Sequence, residues 1–221
     1  MTASQAAGSV VLRFLVFVAL AGGSIASLFA DDEPVRAPYV ERGDCWTYRA
    51  ENMQHQSKPI RDYELCVTLV DKSKGTIFAV AKVKEDEREF DTVYSSEWAA
   101  FASISGRVST QGASIYKYPL KVGDAYSTDY DFRDARLGPN AGRTKWDMNV
   151  VGWEDVTVPA GTFRALRIEG HGKVWRSDRL YDFEHSMVVW YSPKINRHIK
   201  YRYQNPDRSV GEELTGYRLN Q

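Results

Sequence analysis

Val156 to Val174 reads Val-Thr-Val-Pro-Ala-Gly-Thr-Phe-Arg-Ala-Leu-Arg-Ile-Glu-Gly-His-Gly-Lys-Val, and this stretch decides the fold. Val156 and Val158 point to one face and Thr157 to the other, the two-residue period of a half-buried strand. Pro159 has no N–H to give to a ladder, so the first strand should stop there. Gly161 supplies the backbone freedom that a reversal needs. Beyond the turn, Leu166, Ile168 and Val174 share a parity with Gly170 and Gly172, while Arg167, Glu169, His171 and Lys173 hold the other. One apolar face and one charged face describe an antiparallel strand with a solvated side.

The same alternation recurs outward from this hairpin. Strands are expected at 45–51, 63–70, 76–84, 90–94, 125–132 and 145–158, and after the hairpin at 179–184, 188–191, 197–203 and 212–219. In 197–203, Ile199, Tyr201 and Tyr203 alternate with His198, Lys200 and Arg202. Short strands with turn signals at near-regular spacing give an all-β antiparallel meander, folded as a half-open barrel or a sandwich. The stretch 95–115 fits the pattern least. Glu97 to Phe101 could form one or two helical turns capped by Ser95 or Ser96, followed by a loop or a loose hairpin. A stretch of that length is where a binding feature should be sought first, although an ordinary variable loop is the simpler reading. Leu120-Lys121-Val122-Gly123-Asp124-Ala125-Tyr126 repeats Val40-Glu41-Arg42-Gly43-Asp44-Cys45-Trp46. Shared turn chemistry explains this with fewer assumptions than duplication: Gly for the conformation, Asp for a bond from side chain to backbone.

At 221 residues, with 43% apolar and 26% charged residues, the chain has the composition of a soluble globular protein with a sizeable core. The 29 basic residues balance the 29 acidic ones, which argues against a nucleic-acid partner. Residues 1–30 read as a signal peptide: Arg13, the apolar run Phe14 to Leu20, then small residues to Ala26 and the polar Asp31-Asp32-Glu33. The run is short for a retained anchor, and no later segment is long enough to span a bilayer as a helix. Cleavage is expected after Ala26 or Ala30, with no Cys nearby for lipoprotein processing. A flexible leader at 31–38 and a single β-rich domain at 39–221 would follow, in the periplasm or outside the cell.

Export into an oxidising compartment favours a disulfide between Cys45 and Cys66 over a reactive pair, and no Cys-x-x-Cys spacing is present. Setting Cys45 opposite Cys66 in a hairpin about the 53–58 loop places Trp46 against Leu65, Tyr48 against Tyr63 and Arg49 against Asp62. Parity, charge and register all agree with that pairing.

Gly-Asp-x-Trp-x-Tyr near the expected mature start, Pro-Leu-Lys-Val-Gly-Asp at mid-chain, Val-Pro-Ala-Gly-Thr-Phe, and then Trp-Tyr-Ser-Pro resemble uncharacterised exported bacterial proteins. These form a family of unknown function with a β-rich, half-open barrel character, and the resemblance spans most of 40–219. It implies no catalytic residues to carry over.

The chemistry-bearing residues are scattered. His55, His171, His185 and His198 lack metal-ligand spacing. Convergence of the last three in space is conceivable, but solvent-facing positions on the strands are the simpler expectation. The i, i+2 pairs Asp129/Asp131 and Asp182/Glu184 could serve a glycosidase-like couple, or could be solvated strand faces. Trp175, Arg176 and Arg179 could form an anion or sugar platform, or simply a polar turn. No metal or cofactor is expected. Two functions follow from the sequence. The first is a non-enzymatic envelope protein that binds a hydrophobic small molecule or an envelope protein in its concavity. The second is a hydrolase of envelope polysaccharide or peptide, which would need acids or a histidine converging in a cleft.

Overall fold

The computed structural model describes residues 33–53, 59–104, 106–134, 141–177 and 181–220, with the side chains of residues 59, 60, 110 and 141 excepted. The expected export signal, His55 and Arg179 lie outside these residues. Twelve strands appear among the described residues: β1 (Cys45–Asn52), β2 (Pro59–Asp71), β3 (Thr76–Val83), β4 (Glu89–Ser95), β5 (Ala100–Ala102), β6 (Arg107–Ala113), β7 (Ala125–Asp134), β8 (Ala141–Val158), β9 (Gly161–Arg176), β10 (Phe183–Ser192), β11 (Arg197–Asn205) and β12 (Arg208–Arg218). Each pairs antiparallel with the next, and β12 returns to β1 from Cys45↔Arg218 to Asn52↔Val210. The all-β antiparallel barrel expected from the sequence is therefore borne out, and it is closed rather than half-open. Local parity shows which face a strand buries, but not whether the first and last strands meet. Their meeting removes both unpaired edges.

The hairpin that decided the fold forms as read. Val158 pairs with Gly161 across a two-residue turn, Pro159-Ala160, and Gly161 takes φ 127°. Leu166, Ile168 and Val174 are buried, while His171 and Lys173 are exposed. β1 and β2 adopt the read register, with Cys45↔Cys66, Trp46↔Leu65, Tyr48↔Tyr63 and Arg49↔Asp62. The Cys45–Cys66 disulfide is formed, with its Cα atoms 4.2 Å apart.

The two Gly-Asp turns are alike in detail. Gly43 and Gly123 have φ of 93° and 89°. Asp44 Oδ2 accepts the Glu41 N–H at 2.9 Å, and Asp124 Oδ2 accepts the Lys121 N–H at 3.0 Å. Asp44 Oδ1 also takes the N–H of Asn220 at 2.7 Å, which ties the last described residue to the turn before the first strand.

Two expectations change. No helical turn forms at 97–101: Ser95 Oγ accepts the N–H groups of Glu97 and Ala99, Trp98 takes φ 63°, and the chain continues into the β5–β6 hairpin. The strands expected at 179–184 and 188–191 are one strand over their described part, because β10 runs unbroken from Phe183 to Ser192.

One end of the barrel is plugged. A single 3-10 turn, Pro193–Ile195, sits beneath Trp46 and Trp98, whose indole N–H groups donate to the Ile195 and Asn196 carbonyls at 2.8 and 2.7 Å. Leu166, Ile168, Ile195, Ile199 and Leu214 are fully buried in the core cluster that includes Trp46 and Trp98. Burying each such side chain contributes about 1.5–3 kcal/mol. Val35, in the stretch expected as a leader, is buried in an isolated bridge to Leu120. The outer surface carries charge along its strands, with Asp129 bonded to Arg143 and Lys200 paired with Glu213. A strand facing lipid would carry an apolar band at such positions instead.

Candidate functional site

Above the plug the barrel is hollow, and three adjoining lobes meet at Tyr201, which lines all of them. The first, about 240 Å³, is built around His185, with Arg107, Trp146 and Tyr203. The second, about 200 Å³, contains Arg197, His198 and Glu212 with Tyr63, Trp98 and Tyr116. The third, about 430 Å³, is lined by Arg61, Val83, Phe90, Arg208 and Val210. The stretch 95–115, singled out for a binding feature, supplies wall to the first two through Ala100, Ala113 and Ile115.

His185 faces inward because β10 places Phe183, His185, Met187 and Val189 on one parity. Its ring stacks on Trp146 at 3.4 Å, and its nitrogens lie 3.4 Å from the Lys145 carbonyl and from the Tyr203 hydroxyl. Gly172 makes this stack possible, since a Cβ there would meet the Lys145 carbonyl at 2.0 Å and His185 Nε2 at 2.8 Å. Burial, with a smaller contribution from the Arg107 charge, lowers the imidazole pKa to about 4, so the ring is neutral at physiological pH.

His198 turns inward by another route. Trp190 pairs with Lys200 and Tyr191 with His198, so β11 bulges at Ile199 and sets His198 opposite the buried Tyr191, while Arg197, Ile199 and Tyr203 keep the buried parity. Its ring stacks on Tyr48 at 4.8 Å, and its Nε2 lies 3.5 Å from Glu212 Oε2 without the alignment of a hydrogen bond. Burial lowers its pKa, with Glu212 opposing and the Arg197 charge adding to the shift. Burial pushes the Glu212 carboxyl up, but contact with His198, the Tyr63 hydroxyl at 3.1 Å and the Arg197 charge together hold it below its ordinary value. Burial raises the phenols of Tyr48, Tyr63, Tyr116 and Tyr201, so they remain neutral.

Arg197 is 8% exposed. Its guanidinium lies 4.2 Å from the Trp98 ring centroid and 5.5 Å from those of Trp46 and Tyr94. Its Nε has no hydrogen-bond partner among the described residues, and neither has His198 Nε2 or the Tyr116 hydroxyl. Arg197 shares the parity of Ile199, Tyr201 and Tyr203, so the alternation already turned it inward, although its residue type points to solvent.

The remaining sequence candidates lie elsewhere. His171 is exposed on the outer face, so the three histidines do not converge, and the expectation of solvent-facing histidines is corrected for His185 and His198. Asp129, Asp131, Asp182 and Glu184 are exposed, and Asp129 is spent on Arg143. Trp175 is exposed beside a half-buried Arg176. Cys45, Cys66 and Glu64 cluster, but the disulfide occupies both sulfurs. Pro159 and Gly161 shape the hairpin turn and line none of the three lobes.

No family model matches this sequence, and no curated protein matches it. The barrel is similar to the crystal structure of a candidate lipoprotein from Parabacteroides distasonis, with TM-score 0.57 and 10% identity over 85% of this chain and 100% of that one. A candidate exported protein with a YmcC-like fold from Bacteroides fragilis matches at TM-score 0.49 and 14% identity, covering 84% of this chain and 100% of that one. The hypothetical lipoprotein YmcC from Escherichia coli matches at TM-score 0.41 and 9% identity, over 87% and 93%. At these identities the first likeness establishes the shared barrel fold.

Proposed function

We propose that this protein is a non-enzymatic component of the bacterial cell envelope that holds a small, largely apolar molecule inside its barrel. One observation carries the reading: three adjoining lobes lie within a closed barrel, walled mainly by aromatic and aliphatic side chains with a few polar groups. That is the usual make-up of a small-molecule site. Residues 1–30 are the export signal in this reading, residues 31–38 the leader, and 39–221 the barrel domain, acting in the periplasm or outside the cell. The description of the Parabacteroides distasonis protein as a candidate lipoprotein supports an envelope setting. The hydrolase reading receives less support, because Glu212 is the one carboxylate lining the lobes among the described residues and it has no acidic neighbour there.

The test is fluorescence titration of the purified mature protein with N-phenyl-1-naphthylamine, a neutral apolar probe. Saturable binding near one probe per barrel is expected, together with a co-purifying small molecule in native mass spectra from the source envelope. A barrel that neither takes up the probe nor carries a molecule from its source would overturn the reading.

A further inference from the structure

We infer that the molecule held in the barrel is a small organic anion and that Arg197 receives its charged group; this rests on the interior being a ligand chamber. A guanidinium cannot shed its proton to escape burial, and a buried charge without a counter-charge is costly. Arg197 is over nine-tenths buried, and no ion pair joins it to a carboxylate among the described residues. The faces of Trp46, Tyr94 and Trp98 and the Tyr48 hydroxyl offset part of that cost, but the Nε–H is left without an acceptor among the described residues. Glu212 attracts Arg197 across the lobe but forms no ion pair with it, and its carboxylate accepts from the Tyr63 hydroxyl at 3.1 Å.

The wider lining points the same way. Arg61, Arg107, Arg197 and Arg208 line the lobes against Glu212, the one lining carboxylate among the described residues; Arg107 also pairs with Asp134 at 3.5 Å, and the charge of Arg61 reaches Asp86. Arg61 and Arg208 are exposed and Arg107 is half-buried, so Arg197 is the enclosed charge, and an excess of positive charge along the lining draws an anion toward it. Beside Arg197, the Tyr116 hydroxyl is a second buried donor without an acceptor. An oxyanion with two acceptor oxygens, a carboxylate or a phosphate ester, would satisfy both in the side-on manner that arginine favours. Apart from His198, Glu212 and the tyrosines, that lobe is walled by apolar side chains such as Leu65, Ile104 and Ile115, so the anion must carry a hydrocarbon body.

Isothermal titration of the wild-type protein with octanoate, octyl phosphate, 1-octanol and octylamine tests this at constant chain length. Octanoate or octyl phosphate should bind at least tenfold more tightly than octanol, the tighter of the two identifying the headgroup, and octylamine most weakly. Arg197→Gln, with its fold checked by circular dichroism, should bring anion and alcohol within about twofold. Tyr116→Phe should weaken the anion several-fold and leave octanol unchanged. The comparison of headgroups on wild-type protein stands even if Arg197→Gln does not fold. Octanol binding as tightly as both anions, or octylamine binding best, would overturn the anion while leaving the chamber in place. Binding of none of the four, together with no uptake of N-phenyl-1-naphthylamine, would remove both.

Discussion

The plugged end of the barrel and its hollow half use the same kinds of residue to opposite effect. At the plug, buried polar atoms are spent: Trp46 and Trp98 donate to the Ile195 and Asn196 carbonyls, and the Tyr48 hydroxyl donates to the His198 carbonyl at 2.7 Å. In the lobe alongside, Arg197 Nε, His198 Nε2 and the Tyr116 hydroxyl are unspent. The first arrangement recovers the cost of taking polar groups out of water, and the second leaves that cost standing. Stability should therefore reside in the plug, and recognition in the lobes.

The largest expected effect lies at the plug. Trp46→Ala should cost about 3–5 kcal/mol in chemical denaturation, through a cavity and an orphaned Ile195 carbonyl. A loss below about 1 kcal/mol would break the comparison, because the plug would then not be the core.

The next concerns a group in the hollow half. His185 has a folded pKa near 4, below its ordinary 6.5, so the unfolded chain binds the proton first. Stability is then full above pH 6.5 and falls as the pH drops from 6.5 towards 4, by up to about 3 kcal/mol at the limit. Denaturation at pH 7, 6, 5 and 4.5 should show this slope, and His185→Phe should flatten it. An unchanged slope in a folded variant would assign the dependence to other groups, His198 first.

The parts of the molecule that could be read from sequence are those fixed by parity and near-neighbour turns. Cys45 opposite Cys66 followed from the alternation of Trp46, Tyr48, Tyr63 and Leu65, and the paired Gly-Asp turns from residue type alone. The site resisted for three physical reasons. The bulge at Ile199 turns His198 inward in addition to the parity that already buries Arg197, Ile199 and Tyr203. Dividing β10 hid the phase that places His185 beside Phe183 and Met187. Ring closure depends on β1 meeting β12 from the other end of the chain, which no local period encodes.

Smaller effects sharpen the contrast between the halves. Tyr48→Phe should cost about 1 kcal/mol, because it strands a buried carbonyl. Tyr116→Phe in the ligand-free protein should be neutral or slightly stabilising, because its hydroxyl has nothing to lose. Equal losses for the two would mean that water in the lobe serves Tyr116 as well as a carbonyl serves Tyr48. Smallest of all, Glu169→Ala and Lys173→Ala on the outward parity of β9 should stay within about 0.5 kcal/mol of wild type by the same denaturation.

The pairing of β1 with β12 also bears on when the chamber comes into being. Cys45 and Arg218 are among the most distant contacts in the chain, and joining them carries the loop-closure penalty of nearly the whole domain. Hairpins such as β8–β9 can assemble early from near neighbours, whereas the seam belongs with the slow, non-local events of folding. Until the seam zips, Tyr63 on β2 and Glu212 on β12 are not brought face to face, and the lobe around Arg197 lacks a wall. In the proposed reading, binding competence would be a late-maturing property of the nascent barrel, and a cargo that bridges the seam would act as a kinetic latch on its own container.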